Sequence, residues 1–304
     1  TLHFWGGTEA NTPVAGTGNG EMNTPFESWT AFETARAENP DLTIGAIGLW
    51  SGTHTIPADA FATYALNGTP ILGCGPDEVS TSLETGDSSA PTDAVLSVGD
   101  GMSTTLAGLS LTATGDQSVV KLSANGSASL TNMQLSGGLT APVIKLEGES
   151  SLSLSNSEVS GGSAGIWTTG GTASLTLETV EIYDTQGVGI WTTGGTASLI
   201  DIIIRNVATM PGITTGGRGG WGLVLRGDDI VAHNIEIDGA VRAGLVASVS
   251  GVASIRDVTV KNITGIDGTW GRGVYIEGSG PSGYVNMENV TIENVFEAGL
   301  FIQD

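Results

Sequence analysis

A single cysteine, Cys74, leaves these 304 residues unable to form an internal disulfide. Its setting, ILGCGPDEV, reads as a small buried residue in a turn rather than a nucleophile. Positive charge is also scarce: 10 Lys and Arg stand against 32 Asp and Glu, a net charge of −22. That balance argues against nucleic acid and against an anionic membrane surface, because both partners are held by Lys and Arg. Aromatic residues total 17 and histidines 3, and no apolar run approaches the roughly 20 residues needed to cross a bilayer. No Walker loop, zinc-ligand spacing or dinucleotide fingerprint is present. The acidic surface favours solubility outside the cell or in salty water. Its carboxylates also suit a hard cation such as Ca²⁺, and no other cofactor is implied.

Glycine is abundant instead, with 47 residues, about twice its usual share. The string GIWTTGGTASL occurs at 165–175 and again at 189–199. Apolar residues that start the same strand recur at Leu96, Val120, Ile144, Ile166, Ile190, Leu223, Leu245, Val274 and Leu300. Their spacings are 24, 24, 22, 24, 33, 22, 29 and 26 residues. A second strand in each unit follows a polar position: Asn132, Asn156, Thr179, Asp201, Asn234, Asp257 and Asn289. The residues one and three places later are mostly apolar, so one strand face points in and the other out.

Units this short cannot bury an apolar face alone. Stacked in one direction at about 4.8 Å per strand, each gains two neighbours and a continuous core. The spacing therefore predicts an all-β solenoid, a parallel β-helix of about nine coils over residues 92–304. Residues 1–91 form an irregular N-terminal section of the same continuous domain. A short capping helix is expected over 28–38, with Ser28 as N-cap, Phe32 and Ala35 on one face and Pro40 beyond its end. The polar row reads as a corner ladder of side chains hydrogen-bonded along the stack.

This repeat resembles the right-handed parallel β-helix proteins of the pectin-lyase-like group. The opening is similar to that of many bacterial secreted members, in GTGNGEMNTPFESWTAF at 16–32 and ILGCG at 71–75. The resemblance implies fold and a secreted or cell-surface location. The group spans polysaccharide lyases, glycoside hydrolases, phage tailspikes, adhesins and surface proteins without catalysis.

Two long coils break the period. Insertions at 208–221 and 264–273 leave the solenoid at matching points, after Asn206-Val207 and Asn262-Ile263, so they should lie side by side. The short coil between them contributes Arg242. This corner gathers Arg218, Trp221, Arg242, Asp267, Trp270 and Arg272, and six of the chain's seven Arg fall between 205 and 272. Guanidinium groups hold carboxylate or sulfate, and indole faces stack on sugar rings, so the corner suits an acidic saccharide. Arginines paired to nearby Asp under packed loops are the structural alternative. A second feature is an outward row on the first strand, Ser97, Lys121, Lys145, Trp167, Trp191, Val224, Val246, Tyr275 and Phe301. Trp167 and Trp191, extended by Thr169 and Thr193, could form a platform for glycan or protein.

Signals for catalysis are weaker. Lys121, Lys145 and Glu147 share a surface strand without the acid trio a lyase needs for Ca²⁺. Glu181 and Glu236 are two coils apart with Ile203 between them, a poor frame for the water of a hydrolase. Asp228-Asp229 lacks the companion motifs of polygalacturonases, and Arg226-Gly227-Asp228 matches an integrin tripeptide in an ordinary turn. Arg205, Asp238, Lys261 and Glu293 alternate in charge as a cross-strand ion-pair row. The favoured expectation is a binding or adhesin-like protein whose partner is a polysaccharide or glycan surface. A polysaccharide lyase or glycosidase comes second, and a structural subunit self-associating through its end coil or aromatic row third. The chain opens on Thr and stops at Phe-Ile-Gln-Asp, which fits a piece of a longer protein.

Overall fold

A computed structural model describes residues 2–4, 29–38, 44–49, 52–55, 69–73, 79–82, 94–99, 101–113, 115–210, 219–266, 270–278 and 283–303. Nine short parallel strands stack in chain order into one sheet: Ala94–Val98, Ser118–Leu122, Pro142–Glu147, Ala164–Thr169, Val188–Thr193, Trp221–Arg226, Ala243–Ala247, Arg272–Glu277 and Ala298–Gln303. The register joins Leu96, Val120, Ile144, Ile166, Ile190, Leu223, Leu245, Val274 and Leu300 into one column, as their spacing predicts. All but Leu300, in the last coil, are buried. The architecture is an all-β, parallel β-helix.

Longer strands, such as Ser151–Gly161, Ser174–Tyr183, Thr196–Val207, Asp229–Ala240 and Val252–Ile263, form a second parallel sheet. Each bends at the recurring polar residue. Asn156, Thr179, Asp201, Asn234, Asp257 and Asn289 all have left-handed backbone, with φ between 47° and 56°. The bend shifts the inward phase by one residue. Leu152 and Leu154 point in before Asn156, and Ser157 and Val159 point in after it. Asn and Asp tolerate this conformation best among residues with a side chain, which explains the composition of the row. The expected ladder forms where Asn234 Nδ2 donates to Asp201 Oδ1 at 2.6 Å and Asn289 Nδ2 to Asp257 Oδ1 at 2.9 Å.

The short sheet closes onto the long strands at a column of glycines. Gly165, Gly189, Gly222, Gly244 and Gly273 each precede the column residue of a short strand. A Cβ on Gly222 would lie 2.5 Å from Ile237 Cγ2 and 2.6 Å from the Gly244 carbonyl oxygen, and its column neighbours meet equivalent atoms. Only glycine lets the short sheet approach the Ile and Val side chains of the long strands this closely. Earlier coils carry Val119 and Val143 here, both buried.

Toward the N-terminus, Leu2–Phe4 pairs with Ile47–Leu49, which pairs with Ile71–Leu72 and so with Ser103–Ala107. The helix Trp29–Glu38 places Phe32 in the main core and packs Ala35 against it. Ser28 and Cys74 lie outside the described residues. No described helix is long and apolar enough to cross a membrane.

Candidate functional site

The two insertions flank Arg242. The Arg242 amide donates to the Gly220 carbonyl at 2.7 Å, and the amides of Gly271 and Arg272 donate to the Arg242 carbonyl at 2.9 and 3.1 Å. Gly265 adds a bond to the Val241 carbonyl at 2.7 Å. The matching exit points therefore do bring the described ends of both insertions together around the turn of the coil between them. Arg218 and Asp267 lie outside the described residues.

The side chains at this corner form an alternating stack of rings and cations. Arg242 lies 4.8 Å from the Trp270 ring centroid and 5.8 Å from that of Trp221. Arg272 lies 4.5 Å from Trp270, 4.9 Å from Tyr275 and 3.7 Å from Phe301. Trp221 leans on Trp191 at 5.1 Å, and Trp191 stacks on Trp167 at 5.6 Å and 23°. Arg226 sits 5.2 Å over Trp191. The corner and the outward aromatic row, read separately from the sequence, are one continuous face along the short sheet.

This face is less open than an exposed row would be. Val224, Val246 and Tyr275 are buried, and with Ala164, Val188 and Ala243 they form a second apolar cluster outside the solenoid. The physical reason is size. Short valines between aromatic positions leave a trough, and Trp191, Trp221 and Trp270 pack over it. A sequence signal existed in GLVL at 222–225 and GLVA at 244–247, which are apolar at successive positions rather than alternating, as strands buried on both faces are. Sequence reasoning placed Tyr275 and Phe301 in the row but missed that they hold Arg272. It also treated Arg226 only as part of a tripeptide.

Two of the three arginines have acid partners. Arg226 Nη2 lies 2.6 Å from Glu277 Oε2, and Arg272 Nε lies 3.3 Å from Glu297 Oε2. Arg242 has none among the described residues. It is 5% exposed, its Nε is buried without a hydrogen-bond partner, and burial pushes its pKa down. A guanidinium nonetheless remains charged at any physiological pH. Trp270 holds its indole there from left-handed backbone, φ 63°, a strained conformation for a bulky residue.

The other sequence candidates are accounted for structurally. Arg226-Gly227-Asp228 sits in a turn where Asp228 Oδ1 accepts from Ser250 Oγ at 2.7 Å. Glu147 is shared by Lys145 at 2.6 Å and Lys121 at 3.5 Å. Burial works to raise its pKa, and the hydrogen bond and charge of Lys145, with Lys121, outweigh that and hold it below the usual carboxylate range. Glu181 and Glu236 are separated by Ile203 in register, and are taken by Arg205 at 2.8 Å and Lys261 at 3.1 Å. Lys261 also pairs with Asp238 across the strands at 3.5 Å. An open groove of about 340 Å³ is lined by Asn156, Glu158, Thr179, Glu181, Asp201 and Ile203, on the long strands. Among the described residues no three His, Cys, Asp or Glu are grouped to hold a metal ion.

Comparison with known proteins bears on the fold. A family model described as right-handed β-helix region matches residues 142–304. A search of curated proteins found no match. Among solved structures, the surface adhesin PfbA of Streptococcus pneumoniae shares 12% identity over 89% of this chain and 89% of its own, with TM-score 0.45. An alginate lyase from Paenibacillus sp. shares 12% over 90% and 95%, also at 0.45. The catalytic domain of a GH87 α-1,3-glucanase shares 13% over 89% of this chain, TM-score 0.40, and the match spans 66% of that chain. With more than half of its length matched by the family model, and nine coils in register, the chain belongs to the right-handed β-helix family.

Proposed function

We propose that this chain is a secreted or cell-surface, adhesin-like protein that binds carbohydrate at the arginine–aromatic face without altering it chemically. The observation that carries this reading is Arg242, desolvated between Trp221 and Trp270 with no acid partner among the described residues. Indole faces offer the apolar surface that a sugar ring's C–H groups pack against, and a guanidinium between them supplies directed donors. Strained backbone at Trp270 supports a functional role, since such conformations cluster at ligand sites. The described acids paired on this face, Glu277 and Glu297, are each held by an arginine, which favours binding over acid–base chemistry.

The test is calorimetric titration of the chain with a panel of acidic and neutral oligosaccharides, alongside mass spectrometry of the mixtures. Replacing Trp221 and Trp270 together by Ala is expected to weaken glycan binding at least tenfold. Unchanged affinity would remove this face as the site. Released, shortened sugar products would replace the reading with that of a lyase or glycoside hydrolase.

A further inference from the structure

Resting on that reading of the face, we infer that Arg242 is an anion-recognising residue, and that the glycan bound there carries a carboxylate or sulfate which this guanidinium receives. The described acids of the face are matched elsewhere. Arg226 takes Glu277, Arg272 takes Glu297, and Lys145 with Lys121 takes Glu147. Among the described residues Arg242 alone of these cations has no acid against it, and it is the most buried of them, at 5% exposure. In a chain with 32 acidic residues, leaving such a cation without one is a departure that calls for a ligand.

The position is built rather than incidental. The Arg242 backbone is fixed by three hydrogen bonds to Gly220, Gly271 and Arg272, which set its side chain between the two insertions. The ring faces of Trp221 and Trp270 wall it, and neither indole can accept a hydrogen bond in the ring plane. Nε is sealed in without a partner, which leaves the Nη fork as the end offered to a ligand. An anion arriving at the fork end would complete a charge-assisted, bidentate pair in a setting of low dielectric. Such a bond to a charged group is worth about 10- to 100-fold in affinity.

The experiment compares one oligouronate with its carboxyl-reduced, neutral counterpart on the wild-type chain and on Arg242→Gln, by calorimetry. The wild type is expected to prefer the acidic form at least tenfold. The variant should bind both forms alike, at the neutral-form affinity of the wild type. Equal binding of both forms by the wild type, or a preference that survives in Arg242→Gln, overturns the inference. Should the variant fail to fold, by circular dichroism, the wild-type comparison alone still decides. A sulfated oligosaccharide run beside the uronate distinguishes the two sources of negative charge. If the wild type binds no glycan at all, the carbohydrate reading fails, and titration with inorganic sulfate decides the anion site alone. A saturable change in tryptophan emission that disappears in Arg242→Gln upholds it, and no such change overturns it.

Discussion

Thr179 is the odd member of the left-handed corner. The other positions of its row are Asn or Asp, whereas Thr179 holds φ 55° with a β-branched side chain. Left-handed backbone costs an ordinary L-residue about 1–2 kcal/mol, and Asn escapes much of that. Thr179→Asn should therefore recover about 1 kcal/mol of strain. The register places the new amide beside Asn156. Elsewhere in the row the later coil donates to the earlier, as Asn234 does to Asp201. A similar exposed bond to Asn156 Oδ1 adds about 0.5 kcal/mol. The sum, about 1.5 kcal/mol, corresponds to a rise in Tm of roughly 2–3 °C for a chain of 304 residues. Thermal melting by circular dichroism reads the shift. Amide hydrogen exchange should show it concentrated in the coils around 151–207, since solenoid coils couple to their neighbours. The reverse exchange, Asn234→Thr, should lower Tm by a similar amount. A Thr179→Asn chain melting at or below the wild type would refute the strain argument.

Three further outcomes follow from the same geometry. Gly222→Ala should destabilise by about 2 kcal/mol through overpacking against Ile237 and the Gly244 carbonyl, whereas Gly45→Ala, with nothing within 4 Å of the new methyl, should be neutral in the same melt. Glu147 is depressed in the folded chain, so its stabilising pairing is complete above the ordinary carboxylate pKa and is lost as pH falls through the folded value. Carbon NMR of the carboxyl should find that lowered value and see it rise in Lys145→Met. Trp191→Ala removes the ring between Trp167 and Trp221 and the seat of Arg226, costing about 2 kcal/mol by chemical denaturation, against no loss if the stack were ornamental.

Much of the fold was legible because a solenoid repeats its constraints. The column from Leu96 to Leu300, the corner row from Asn132 to Asn289 and the separation of Glu181 from Glu236 by Ile203 are all as spacing predicts, since in-register stacking turns sequence period directly into contact. The glycine column was visible as GIW, GLV, GVY and GLF, yet its cause was not. It depends on Ile182, Ile204 and Ile237 reaching across the core, a distance that no single strand encodes. The site was half legible. Exit points placed Arg242 between the insertions, but the burial of Val224 and Val246 depends on side chains folding down from Trp221 and Trp270, where the period is broken.

In-register stacking also limits where charge can go. Position meets like position in the next coil, which suits Asn ladders, Thr rows and aromatic stacks and penalises repeated charge. Where like charges do meet, something intervenes. Lys121 and Lys145 are adjacent in register and share Glu147. Glu158 and Glu181 are adjacent, and Tyr183 donates to the first while Arg205 neutralises the second. Even the exposed His233 lies 2.9 Å from Asp257. Against that rule Arg242 stands out. The other arginines of the face, Arg226 and Arg272, have acids, whereas among the described residues Arg242 has only ring faces. If the stack served only to cover the trough above Val224 and Val246, an uncharged side chain would do so without the cost of burying a cation. A leucine or methionine there should then stabilise the chain. Retaining the arginine makes sense when its charge is used by a ligand, so Arg242→Met is expected to raise Tm while abolishing the preference for acidic glycan. A variant that loses both stability and binding would instead mark Arg242 as a structural clamp between the two insertions.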